Sequence, residues 1–399
     1  MTNRKDEARI TCKSYWLLFL VSLKLGLTSF GGPTAHLGYF HESYVRRKQW
    51  LDETLYAHLV ALAQFLPGPA SSQVGMAIGI HRAGLFGGLV AFLGFTMPSV
   101  ILLIAFAYMY EGISLANAGW IHGLKLVAAA IVAHAILGMA KTLAPDRSRQ
   151  LLLLVALGVV LLWQTIWTQL IVIVLAALFG LLFLKTDQTQ QAQKPFGAGV
   201  SKKMGAALLT LFFLLLFLLP LASQATDWKW LAMVDSFYRS GALVFGGGHV
   251  VLPLLEEAFV PTNWVSEDAF LAGYGAAQAV PGPLFTFASY LGTVMGGWTW
   301  GLMATAAIFL PAFLLVAGAL PFSAHMQHSK LRGAVLGMNA AVVGLLVAAF
   351  FQPIWQTTVE TTQDFLLFAV LFVMVAVWKW APWIVVCMGI IGGWVLPYF

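Results

Sequence analysis

Hydrophobic positions in this chain gather into long, nearly unbroken runs: Gly84 to Tyr110, Gly123 to Leu143, Leu151 to Leu184, Gly205 to Leu221, Trp298 to Leu320 and Gly333 to Phe351. Several reach the roughly 20 residues that a helix needs to cross hydrocarbon. They predict transmembrane helices, and composition agrees. Of 399 residues 60% are hydrophobic and 10% are charged, with a mean hydropathy of +0.84, far from the balance of a soluble domain. The expected fold class is an all-α polytopic membrane protein, with the 15 Trp and 10 Tyr suited to interfacial belts and to packing between helices.

The chain is built twice. Lys24, Gly26, Phe30, Gly31 and Gly32 fall opposite Arg239, Gly241, Phe245, Gly246 and Gly247 at a constant offset of 215. One residue is then lost: at an offset of 214, Glu42, Trp50, Glu53, Gln64, Pro67, Gly68 and Pro69 fall opposite Glu256, Trp264, Glu267, Gln278, Pro281, Gly282 and Pro283. Farther on, Pro98 pairs with Pro311, and the stretch from Gly123 resembles the one from Gly333. This divides the chain into an N-terminal segment 1–14, a first repeat 15–184, a polar linker 185–205, a connecting helix within 206–230 and a second repeat 231–399.

An odd apolar segment between two copies turns the second copy upside down, as in inverted-repeat transporters. Loop charges agree, because Arg46, Arg47 and Lys48 correspond to Val260, Pro261 and Thr262 in the second copy, and basic loops stay inside. If every "FGG" and "PGP" segment spanned, the Arg46 to Lys48 loop would lie outside, although the N-terminus carries Arg4, Lys5, Arg9 and Lys13. Making these segments re-entrant places the basic loops inside, leaves nine crossings and puts the N-terminus in the cytoplasm. Thr54 to Leu66 is also only 13 residues, about 20 Å of helix against a hydrocarbon core of about 30 Å. Proline removes a donor and disfavours helix in the residue before it, so Pro67-Gly68-Pro69 and Pro281-Gly282-Pro283 should join half-helices. A mere kink in a spanning helix is the other reading.

Four symmetry-related backbone breaks at membrane depth imply a central site, since irregular backbone there must be buried in protein or line a wet cavity. Half-helix N-termini at Pro69 to Ser72 and Pro283 to Thr286 would offer amide donors and a positive dipole end to an anion, with Ser71, Ser72 and Thr286 as hydroxyl donors. Lys24 and Arg239, each six residues before its "FGG", are expected counter-charges; snorkelling to the interface is the alternative. Gly31, Gly32, Gly246, Gly247 and Gly248 suit an anion nest or close helix packing. Gln64 and Gln278 suit ligand contact or the capping of a broken helix.

Other chemistry is thin. His36 and His249 follow the breaks and read as structural groups before proton sensors; His325 and His328 read as a solvated loop with Lys330 and Arg332. Asp52, Glu53, Glu267 and Asp268 should charge helix N-termini. Cys12 and Cys387 suggest neither a disulfide framework nor a metal cluster. Lys24 breaks the first apolar stretch, which argues against a cleaved signal peptide. The net charge of +6 lies in short loops and marks topology, so no nucleic-acid partner is expected. The motifs HExxH, GxSxG and Walker A do not occur, and no paired carboxylates sit in a membrane segment. No cofactor is expected, and transport must draw on ion gradients or membrane potential.

At "FGGPTAHLGYF", "FLPGPASSQVGMAIG", "FGGGHVVLPLLEE" and "AVPGPLFTFASYLGT" the sequence resembles the chromate ion transporter family, in its long, two-domain bacterial form, over nearly the whole chain. The resemblance implies two chromate-transport domains in opposite orientation in the plasma membrane, a substrate of chromate with sulfate as a related oxyanion, export, and chromate resistance. The matching positions are Phe30 to Pro33, His36, Pro67 to Pro69, Phe245 to Gly248, His249 and Pro281 to Pro283. Pro33 faces Gly248 in the second copy, so the two halves of the site are not equivalent. A passive oxyanion channel and an intramembrane lipid-modifying enzyme are the alternatives, and a homodimer is compatible with the sequence.

Overall fold

A computed structural model describes residues 12–112, 119–163, 166–184, 200–245, 247–323 and 329–395. Those residues contain helices and no strand. Five helices, Ala70–Tyr110, Gly119–Leu143, Lys202–Gln224, Trp298–Phe322 and Arg332–Thr358, are long and apolar enough to cross a membrane. Shorter apolar helices, among them Ile171–Phe183, Thr362–Ala376 and Pro382–Val395, accompany them. Rows of outward Leu, Phe and Trp, such as Phe213, Phe217 and Leu221, lie exposed, as lipid-facing surface requires. The chain is an all-α polytopic membrane protein.

The first quarter of the chain enters the protein twice and returns twice. Helix α1 (Cys12–Thr28) runs beside the later part of α4 (Ala70–Gly112). Tyr15 donates to Ala83 O at 3.2 Å, and a Cβ at Gly26 would lie 2.5 Å from Phe95 O, so the two run parallel. The chain breaks at Ser29 to Gly31 and turns back through α2 (Gly32–Phe40) and a π-helical turn, His41–Arg47. Tyr44 returns to Ser22, with 3.1 Å between their hydroxyls. Helix α3 (Glu53–Phe65), capped by Asp52 through Leu55 N–H at 2.7 Å, goes in again and stops at Pro67. The first part of α4 comes back out, until Arg82 lies over the Trp50 ring at 4.6 Å. Both segments are therefore re-entrant from one end of the molecule, the end that carries Arg46, Arg47 and Lys48.

At Ala83 and Gly84 helix α4 doubles back on itself, with Gly84 at φ 70°, ψ −170°. A Cβ on Gly79 or on Gly87 would lie 2.4 Å from the other's carbonyl oxygen, which is why the hairpin needs glycine on both arms. The later part of α4 then crosses. After α5 (Gly119–Leu143), α6 (Arg147–Leu162), α7 (Ile166–Phe183) and the connecting α8 (Lys202–Gln224), the pattern recurs in α9 (Lys229–Ala242), α10 (Val251–Phe259), α11 (Glu267–Ala279), α12 (Phe287–Gly296) and α13 (Trp298–Ala319). Gly297, at φ 81°, ψ −178°, takes the place of Gly84, and Gly241 against Ile308 O that of Gly26 against Phe95 O.

The two copies run in opposite directions. Trp298 N–H donates to the Tyr108 hydroxyl at 3.1 Å, a Cβ on Gly301 would meet Ile104 at 3.4 Å, and the rings of Phe92 and Phe309 lie 5.0 Å apart. Position rises along α13 as it falls along α4, so the second copy's re-entrant segments enter from the opposite end. The remaining helices are α14 (Ser329–Ala349), α15 (Gln356–Thr358), α16 (Thr362–Ala376) and α17 (Pro382–Val395). Each repeat lends its last two helices to the other. A Cβ on Gly123 of α5 would lie 2.0 Å from Gly389 O of α17, and one on Gly180 of α7 would lie 2.1 Å from Gly333 O of α14. Backbones this close are held by packing of small residues, since lipid supplies no hydrophobic drive between helices.

Gly123→Ala must push α5 off α17 and is expected to cost about 1–3 kcal/mol of stability. Gly158→Ala in α6, where nothing lies within 4 Å of the added carbon, is expected to be neutral or stabilising. Thermal denaturation of the two purified variants checks the contrast.

Candidate functional site

The four breaks meet, and they hold one another. Gly68 N–H donates to Val244 O at 2.7 Å, and Gly282 N–H donates to Ser29 O at 2.9 Å. Val244 follows Ser29 by the same 215 positions that relate the two glycine breaks. Each proline-glycine-proline turn is therefore tied to the residue that opens the glycine break of the other repeat. Gly68 and Gly282 have φ of 117° and 111°, a region that strains any residue with a Cβ.

Side chains satisfy the carbonyls that the prolines leave open. Gln73 Nε2 donates to Pro67 O at 2.7 Å, and Thr286 Oγ1 donates to Pro283 O at 2.7 Å. His36 is buried between the breaks, with Nε2 3.2 Å from Ser29 O and Nδ1 3.3 Å from Ser71 Oγ. A carbonyl can only accept, so Nε2 carries the hydrogen, and Nδ1 shares a hydrogen bond with the Ser71 hydroxyl. His36 clamps the two breaks together.

A cavity of about 1420 Å³ reaches these breaks from one side. Its floor includes Gly31, Gly32, Gly68, Gly247, Gly248 and Gly282, and its walls come from α3, α5, α14 and the loop between α16 and α17. Thr142 near the end of α5, Arg332 near the start of α14 and Lys379 in that loop line its mouth. This is the end of the molecule with Arg46 to Lys48; among the described residues none of the lining comes from the far end, where α11 and α13 begin.

The lining contains Arg332, Lys379, His58, His134 and His249, and no Asp or Glu among the described residues. Lys379 is held at φ 55° where α16 ends and Trp380 N–H bonds Met374 O at 3.0 Å; this left-handed geometry costs a residue other than glycine about 1 kcal/mol. Deeper, His249 Nδ1 meets the Tyr274 hydroxyl at 2.7 Å, and buried Gln278 Nε2 and Asn339 Oδ1 have no hydrogen-bond partner. A cavity lined by cations and glycine backbone suits a small anion.

Of the residues picked out in the sequence, the structure brings Gly31, Gly32, Gln64, Gly68, Gly247, Gly248, His249, Gln278 and Gly282 to the cavity. Pro67, Pro69, Ser71, Ser72, Pro281, Pro283 and Thr286 stand behind the wall, where Ser71 and Thr286 are engaged by His36 and Pro283. Gly246 lies outside the described residues.

Lys24 and Arg239 depart from expectation, for neither lines the cavity. Lys24 is exposed on the face of α1 that also shows Leu17, Leu20 and Leu27. Arg239 is bound by Asp235, with Nη2 to Oδ2 at 2.7 Å and Nε to Oδ1 at 3.0 Å. The sequence carried that signal, since Asp235 precedes Arg239 by one helical turn. Arg332, read as a loop charge, and Lys379, which the sequence reading did not single out, are the Arg and Lys residues among the described ones that line the cavity. A lysine between two tryptophans, Trp378-Lys379-Trp380, was the visible sign.

A family model described as chromate transporter matches residues 16–181 and 231–394. The chain belongs to the chromate transporter family. The chromate transport protein of Pseudomonas aeruginosa is 28% identical over 91% of this chain and 84% of its own length. That of Cupriavidus metallidurans is 26% identical over 85% and 83%, and an uncharacterized transporter of Methanocaldococcus jannaschii is 27% identical over 87% and 86%. No solved structure matches. The duplicated match coincides with the two copies that the cross-bonded glycines join in this family member.

Gly282→Ala would place a carbon 2.3 Å from Ser99 Oγ and is expected to destabilise the protein by about 1–3 kcal/mol. Adding Ser99→Ala should recover the steric part and leave the backbone strain. Denaturation of the single and double variants measures the split.

Proposed function

We infer that this protein is a secondary transporter that carries chromate out of the cell across the plasma membrane, and thereby confers chromate resistance. The observation that carries the reading is the cavity, lined by Arg332 and Lys379 and by no carboxylate among the described residues, that opens among the basic loops and ends where the inverted repeats cross-bond. Basic loops mark the cytoplasmic side, so the mouth and the N-terminus face the cytoplasm. Membership of the chromate transporter family supports the substrate, and sulfate, a tetrahedral dianion of similar size, enters the same site.

Arg332 and Lys379 draw the dianion in, and the glycine breaks with Gln64, His249 and Gln278 receive it at the floor. At the far end Lys125 pairs with Asp268 at 2.7 Å and His122 meets Asp364, and among the described residues the cavity lining does not reach that end, which favours a carrier over an open channel. The chemistry is binding and release only. An interior negative by about 100 mV favours exit of a dianion by about 4.6 kcal/mol, a gradient on the order of a thousandfold. Facilitated exit needs no further energy source.

Uptake of radiolabelled chromate into inside-out vesicles tests this, with sulfate as competitor and with an imposed potential. Flux should saturate, rise when the vesicle interior is positive, and fall with sulfate; flux indifferent to potential would contradict the reading. Arg332→Gln and Lys379→Gln are each expected to raise the half-saturating chromate concentration about three- to tenfold, as loss of about 1 kcal/mol of attraction at a wet mouth requires, with the maximal rate unchanged.

A further inference from the structure

The duplication supplies an internal control on four carboxylates. In the first repeat, Glu42 accepts from Arg47 Nε at 2.9 Å with Arg46 Nη1 at 3.8 Å, and Glu53 meets His41 Nε2 at 2.6 Å. Their counterparts, 214 positions on, are Glu256 and Glu267. The carboxylates are kept while their partners are lost. His41 becomes Leu255, Arg46 becomes Val260 and Arg47 becomes Pro261.

Burial changes with the partners. Glu256 is 8% exposed, and the buried atoms Glu256 Oε2 and Glu267 Oε1 have no hydrogen-bond partner. Glu267 and Glu257 are close enough to act on Glu256 electrostatically, and both repel a negative charge there. Lys125 of α5 holds Asp268, Arg239 of α9 holds Asp235, and Lys229 at the start of α9 is exposed to solvent. His249 is bonded to Tyr274. Two ionised carboxylates without a counter-charge do not survive in such surroundings, whereas protonation of one of them removes the conflict.

We propose that Glu256 and Glu267 form a proton-binding site at the closed end of the molecule, opposite the cavity mouth. The proton comes from the solvent at that end and converts a carboxylate to a neutral carboxylic acid, with no other bond made or broken. Opening that end hydrates the pair and releases the proton, and closing it takes the proton up again. Acid at that face therefore stabilises the closed end and slows turnover, and the effect is lost as the pH there rises. The flux test rests on the transporter reading; the spectroscopic test does not.

Infrared spectra of the purified full-length protein should show a carboxylic acid carbonyl band at neutral pH that is missing from the Glu256→Gln, Glu267→Gln double variant. A wild-type spectrum without the band, or a band that survives undiminished in the double variant, overturns the site. In proteoliposomes with the pH of each compartment set separately, chromate flux should fall as the face bearing Pro261 is acidified, by up to about tenfold per pH unit, the limit for one proton. Glu256→Gln should flatten that dependence, and so should Pro261→Arg, which restores the partner found in the first repeat. Wild-type dependence retained in both, or dependence on the other face alone, refutes the proposal. Absence of chromate flux in the wild type would instead count against the transporter reading and leave the infrared result to decide the site.

Discussion

Broken backbone at membrane depth cannot face lipid and must find its hydrogen bonds within the protein or in a wet cavity. Each re-entrant turn in this chain meets that constraint by reaching into the other repeat, Gly68 to Val244 and Gly282 to Ser29. Neither repeat can complete its own break. The inverted arrangement, the swapped hairpins that put α17 on α5 and α7 on α14, and the meeting of all four breaks follow from two copies that satisfy one another. Prolines end the half-helices, glycines allow the turns, and Gln73, Thr286 and His36 add side-chain hydrogen bonds to the carbonyls of Pro67, Pro283 and Ser29.

Electrostatics then gives this symmetric frame a direction. The cavity opens at the end rich in Arg and Lys, and Arg332 and Lys379 stand at its mouth without a carboxylate in the lining. At the other end Lys125 pairs with Asp268, and there Glu256 and Glu267 have lost the partners of Glu42 and Glu53. The two copies share a backbone plan and differ in charge. That difference makes a path for an anion out of a duplicated scaffold.

Much of the frame was legible in the sequence. The constant offsets fixed the duplication, the short "PGP" half-helices fixed the re-entrant turns, and loop charge fixed the opposite orientation, because backbone geometry and charge asymmetry are local properties of residue type. The cavity was less legible. Gln64, Gln278 and the described glycines, singled out for their place beside the breaks, line the cavity, as does His249, which read first as a structural group, whereas Ser71 and Thr286 hold the breaks together. Lys24 and Arg239 were chosen for symmetry, but whether a cation faces a cavity depends on its rotation about the helix and on partners such as Asp235. Arg332 and Lys379 arrive from helix ends far along the chain, and only the swapped packing brings them to the mouth.

Membrane-impermeant maleimide labelling in intact cells and inside-out vesicles tests the inverted, cross-bonded architecture most directly, with single cysteines at Arg47, Pro261 and Lys379 in a background of Cys12→Ser and Cys387→Ser. Cysteines replacing Arg47 and Lys379 should react only from the cytoplasmic face, and one replacing Pro261 only from outside. Reaction of Arg47→Cys and Pro261→Cys from the same face would contradict the account.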